Sequence, residues 1–99
     1  MNMLSSTALS GLNAAQTRLG AAANNIANMN TPGFRRDEVS AVPQTGGGVS
    51  VSVQKAETQG ADVVRDMVDQ KMAVLEFKAN LQVLKTEREM TGSLLDTLA

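Results

Sequence analysis

Residues 61–98 read ADVVRDMVDQKMAVLEFKANLQVLKTEREMTGSLLDTL, a 38-residue tract without a proline. Val63, Met67, Gln70, Val74, Phe77, Leu81 and Leu84 are spaced 4, 3, 4, 3, 4, 3, and only Gln70 among them is polar. Arg88 and Thr91 interrupt the register before Leu95 and Leu98 restore it. Such spacing lays one stripe along an α-helix with a period suited to supercoiling. Val64, Val68, Met72, Leu75, Ala79 and Val83, then Met90 and Leu94, make a second stripe beside it. Lys71, Lys78 and Lys85 lie between the two, with stems able to cover the gap. Two stripes exceed the needs of a dimeric coiled coil. A helix of this length spans roughly 55 Å, whereas a compact domain of this size is only about 30 Å across. Much of the helix is expected to find its partners outside its own chain.

Composition supports that expectation. Ninety-nine residues allow one domain at most, and the net charge of −1 gives no electrostatic case for nucleic acid or an anionic membrane. Cysteine and histidine are both absent, which removes thiolate catalysis and the usual zinc and imidazole chemistry. Phe34 and Phe77 are the only aromatic residues, so the core must be aliphatic and thin. Residues 1–34 hold a single charged side chain, Arg18, whereas residues 61–99 hold seven acids and five bases. No window reaches the ~18 apolar residues of a membrane span. Residues 1–10 lack the basic start and apolar run of a secretory signal, so export would need another route.

Residues 3–28 form the first organised segment. Ala8, Leu12, Ala15, Leu19, Ala22 and Ile26 alternate small and large at helical spacing, a pattern that lets two helices approach closely. The opposite face carries Ser6, Ser10, Asn13, Thr17, Gly20 and Asn24. This neutral face suits hydrogen-bonded packing against further protein; the plainer reading is a surface helix that lacks charge. Gly11 and Gly20 each cost ~1 kcal/mol of helix propensity relative to alanine, so the segment needs a partner to order it. Asn28 is expected to end the helix, since asparagine tolerates the left-handed conformation. Asn30, Thr31, Pro32 and Gly33 then supply a break and a turn. Phe34 either docks on a neighbour while Arg35 and Arg36 reach that neighbour's carboxylates, or tucks under its own loop with the charges solvated.

Residues 37–60 are the irregular part. Val39, Ala41 and Val42 hint at a strand ending at Pro43, Gly46-Gly47-Gly48 makes a turn, and Val49, Val51 and Val53 alternate with Ser50, Ser52 and Gln54. The simplest reading is a small β-hairpin, which is marginal alone and should lie against a helix or a neighbour; the alternative is a flexible linker. No catalytic constellation is present. The triple glycine lacks the lysine and helix of a phosphate loop. Asp62, Asp66 and Asp69 read as solvated acids on a helix surface, not as a metal site.

The stretch Ser6–Arg36, STALSGLNAAQTRLGAAANNIANMNTPGFRR, resembles the N-terminal segment of the flagellar rod and hook family. The likeness rests on the alternating Ala/Leu helix, Asn24-Asn25-Ile26-Ala27-Asn28, and Thr31-Pro32-Gly33-Phe34 followed by a base. Residues 62–98 are similar to the family's C-terminal segment through Val63-Val64, Met67-Val68, Phe77 with Ala79-Asn80, and Leu94-Leu95. The middle, Asp37–Gly60, is short for the family and most like a proximal-rod type. The resemblance implies a mainly α fold in which long N- and C-terminal helices pack as an antiparallel, coiled-coil-like pair around a short hairpin or irregular middle. It divides the chain into an N-terminal axial helix and motif (1–34), a hairpin or linker (35–60) and a C-terminal axial helix (61–99). It implies a structural subunit of the bacterial flagellar basal-body rod, partnered by itself, other rod proteins and the flagellar export apparatus. That subunit lies in the periplasmic rod and is exported without a cleaved signal peptide; no enzyme activity, cofactor, metal, nucleic acid or membrane span is expected. Stripes and resemblance together place the subunit interface at Leu12, Leu19, Asn24, Asn25, Ile26, Asn28, Gly33, Phe34, Met67, Val74, Phe77, Asn80, Leu81, Leu84 and Leu95. The competing reading is a soluble helical adaptor or regulatory homologue that binds one partner without entering the rod.

Overall fold

The computed structural model describes residues 3–98, in the order α1 (Met3–Ala27), β1 (Asp37–Pro43), β2 (Val49–Lys55) and α2 (Val63–Leu98). The two helices pack antiparallel, and the hairpin between them lies against α1. The molecule measures 63 × 25 × 14 Å. The ~54 Å that 36 helical residues span accounts for most of the long dimension.

Local chemistry explains the boundaries. α1 ends where the Asn28 amide turns back to donate to the Asn24 carbonyl oxygen at 2.9 Å. The expected left-handed asparagine is absent, since no described residue other than glycine has a positive φ. A side-chain bond to the last turn does the work that a reversed backbone would do. α2 opens with Asp62 as its N-cap: its Oδ1 accepts the Arg65 backbone N–H at 3.2 Å. β1 and β2 pair antiparallel, with Val39 opposite Val53 and Ala41 opposite Val51. The Gly46-Gly47-Gly48 turn has φ values of 90°, 105° and 85°, which only glycine adopts cheaply.

The core is as thin as the composition requires. Its buried apolar residues are all alanines: Ala8, Ala14, Ala15, Ala22, Ala56 and Ala73. On α1 the alanines of the expected stripe are buried, while Leu12, Leu19 and Ile26 are half-buried beside them. The covered positions of α2 step through Asp66, Gln70, Ala73, Phe77, Asn80, Leu84 and Glu87. This seam shares Gln70, Phe77 and Leu84 with the expected main stripe, but Asp66, Ala73 and Asn80 replace Met67, Val74 and Leu81. The reason is close approach. At Gly11 an added Cβ would stand 2.6 Å from Asn80 Cγ, so the backbone of α1 nearly touches the opposing side chain. Small and short polar residues fit such a seam, whereas large apolar ones do not.

Candidate functional site

Three polar links and one close steric contact set the register of the helix pair from end to end. Ser5 Oγ donates to Glu87 Oε2 at 3.0 Å. Gly11 faces Asn80, whose amide is held by the Glu76 carbonyl oxygen at 2.8 Å. Arg18 Nη1 reaches both oxygens of Glu76, at 2.7 and 2.8 Å. Asn25 Nδ2 donates to Asp66 Oδ1 at 3.1 Å. Sliding one helix by a turn would break all four together.

The last link belongs to a buried clasp. Asp66 is 1% exposed and its carboxylate also accepts from Arg36 Nε at 3.1 Å and from Arg36 Nη2. Arg36 is itself buried, and the Asp66 hydrogen bond raises its pKa beyond the ordinary guanidinium value. Asn25 completes the arrangement: its Nδ2 also donates to the Asp37 carbonyl oxygen at 3.0 Å, and its Oδ1 accepts the Asp37 N–H at 2.7 Å. Three segments distant in sequence thus meet in one satisfied polar cluster. A buried charge is tolerable only with such pairing. The expectation that Asp66 is solvated is therefore wrong. Arg36 neither reaches a neighbour nor lies in water, because it turns inward to its own chain.

Asp37 extends the cluster outward. Its carboxylate accepts from Lys55 Nζ at 2.7 Å and from Asn24 Nδ2 at 2.9 Å. The Lys55 ammonium, with help from the Asn24 amide, holds the Asp37 carboxyl below its ordinary range against the opposing effect of burial. The same ammonium sits 5.0 Å above the Phe34 ring. Phe34 is half-buried, and its carbonyl oxygen accepts the Gly60 N–H at 3.1 Å. Gly33, immediately before it, has a φ of 73°. A cleft of about 310 Å³ opens between α1, β1 and α2, lined by Arg18, Arg36, Arg65 and Asp69 among others. Asp69 thus faces this cleft.

The fifteen expected interface residues fall into four sets. Asn25 is buried inside the chain at 2% exposure with its amide bonded there. Leu12, Leu19, Ile26, Phe77, Asn80 and Leu84 flank or form the seam, and Asn24, Asn28, Gly33 and Phe34 lie around the loop that follows α1. Met67, Val74, Leu81 and Leu95 project from α2 into solvent. Sequence reasoning missed Arg36, Asp66, Ser5 and Glu76. The signal available was Arg18, the lone charge in residues 1–34, and the recurrence of Asp66, Ala73, Asn80 and Glu87 every seven residues.

Among the described residues no group of acids could hold a metal ion, and no helix is long and apolar enough to cross a membrane. What the molecule offers is surface. α2 exposes twelve large apolar side chains, from Val64 at 76% to Leu98 at 77%, and residues 88–98 are exposed throughout. The family model described as "Flagella basal body rod protein" matches residues 6–35. Over this segment the chain is similar to flagellar basal-body rod proteins. The matched stretch covers most of α1 and the Gly-Phe turn, and stops one residue before Arg36. No curated protein matches the chain.

Proposed function

We propose that this chain is a rod subunit that polymerises with copies of itself and with other rod proteins through the faces of its terminal helices. The observation that carries this reading is the bareness of α2. One partner helix covers a narrow seam of short residues, and Met67, Val68, Met72, Leu75, Leu81 and Leu94 remain at least half exposed. Contiguous apolar surface on this scale marks a protein interaction site. The short segment between the helices fits the proximal part of the rod. Passage through the flagellar export apparatus as an unfolded chain suits a molecule with an alanine core and no disulfide.

Leu81→Asp tests the proposal, with Gln82→Asp as its control on the same turn. Leu81 is 50% exposed, so the charge should leave the isolated chain's melting temperature nearly unchanged. Buried in a subunit contact, an unpaired carboxylate costs several kcal/mol, enough to lower incorporation more than about tenfold. The amount of each variant in purified basal bodies is the readout. Equal incorporation of both would refute the assignment of this face to assembly.

A further inference from the structure

Two α1 side chains behave as fragments of extra β-strands. Asn25 bonds both the N–H and the carbonyl oxygen of Asp37. Ser10 Oγ accepts the Val49 N–H at 2.6 Å and donates to the Val49 carbonyl oxygen at 3.0 Å. Asp37 opposes Lys55 and Val49 opposes Pro43 in the hairpin. Because the backbone groups of Asp37 and Val49 point away from the hairpin, ladder alternation sends those of Val39 and Ala41, and of Val51 and Val53, outward as well. The β1 edge therefore has one rung capped by α1 and then two, at Val39 and Ala41, with no partner among the described residues; the β2 edge has one capped rung and then Val51, Val53 and Lys55.

Two rungs of each run match. Val39 and Ala41 on β1, and Val51 and Val53 on β2, have the same number and spacing of donors and acceptors, and the strands run in opposite directions. Residues 39–54 contain no charged side chain, so bringing the edges together opposes no like charges. Edges this bare are normally blunted by charge or proline; Pro43 closes only the far end of the β1 run. The cleft of about 310 Å³ beside Val39 leaves room next to the β1 edge.

We propose that the free β2 edge of one copy adds to the free β1 edge of the next, with Val53 beside the neighbour's Val39 and Val51 beside its Ala41. Successive hairpins then form one continuous antiparallel sheet. The contact uses two different edges, so it is head-to-tail and does not close on itself. It rests on the reading of the chain as a polymerising subunit, to which it adds a specific joint.

The chain has no cysteine, which makes a disulfide test clean. Ser40 and Ser52 are exposed, and in the continuous sheet they face each other across the joint as a non-hydrogen-bonded pair, close enough for a disulfide. Cells co-expressing Ser40→Cys and Ser52→Cys chains, distinguished by tags, provide basal bodies for oxidation and non-reducing electrophoresis. The expected product is a mixed disulfide between the two chains, with none from either variant alone. Val51→Pro removes one outward N–H while sparing the hairpin's own ladder, and should lower the yield about fivefold, as expected for one lost hydrogen bond. Ser52–Ser52 position adducts from the single variant would show a two-fold contact and overturn the proposal. Basal bodies holding the chain in normal amount without the mixed adduct would overturn the joint alone. Basal bodies lacking the chain would overturn the subunit reading with it.

Discussion

Asn25 holds three parts of the chain at once: its own helix, the start of β1 and, through Asp66, the start of α2. Read as a subunit contact, it would tolerate leucine in the isolated chain. Its geometry demands the opposite. Asn25→Leu should destabilise the monomer by about 1–3 kcal/mol, since it orphans the Asp37 N–H and carbonyl oxygen and removes one of the hydrogen bonds to the buried Asp66 carboxylate. Urea denaturation checks this, and an unchanged midpoint would contradict the clasp. Asp37 adds a pH dependence. Its folded-state pKa is lowered, chiefly by Lys55, so the native state binds protons less readily than the unfolded chain. That contribution is present in full above the unfolded value and is lost as pH falls through the folded one. Lys55→Met should flatten the loss of stability between about pH 5 and pH 2 that the wild-type chain shows.

At the scale of the elements, two glycines in one helix should respond oppositely to alanine. Gly20 has open space where a Cβ would stand, so Gly20→Ala should stabilise by up to ~1 kcal/mol through helix propensity. Gly11→Ala receives the same propensity gain but drives its methyl into Asn80, whose amide is tied to the Glu76 carbonyl. The expected outcome is a net loss, recovered when Asn80→Ala is added. Thermal melts of the single and double variants measure that coupling. The glycine and its spacing were visible in the chain, and a cost to propensity was the evident reading. That Gly11 marks the point of closest approach depends on Asn80, 69 residues away in sequence.

For the whole molecule, shape outweighs core. A radius of gyration of 17.4 Å exceeds the ~13 Å of a compact chain of this length. With six buried alanines as its apolar core, stability is shared along the seam. Poor propensity in α1 suggested that it would order less firmly than α2. The seam couples them instead, and α2 continues past its last link at Glu87 into eleven exposed residues, 88–98. Amide hydrogen exchange of the isolated chain should therefore show comparable protection around Ala15 and Ala73, and rapid exchange beyond Arg88. Strong protection throughout 88–98 would indicate that the isolated chain already self-associates.

Periodicity, turn residues and proline placement were sufficient to derive two long helices, their limits within a few residues, and a hairpin across three glycines, because each follows from local backbone preference. The sequence also determined that α2 carries more apolar surface than one partner can cover. Which side of α2 the chain keeps for itself was decided only in three dimensions. Two adjacent stripes have equal periodicity, and close approach to the alanines and Gly11 selected the positions with short side chains. Arg36 and Asp66 look like solvated charges until Asn25 brings three segments together around them, and that convergence has no signature at any one position. The hairpin's open edges are likewise products of packing, since Ser10 and Asn25 cap one rung each and leave the remainder bare.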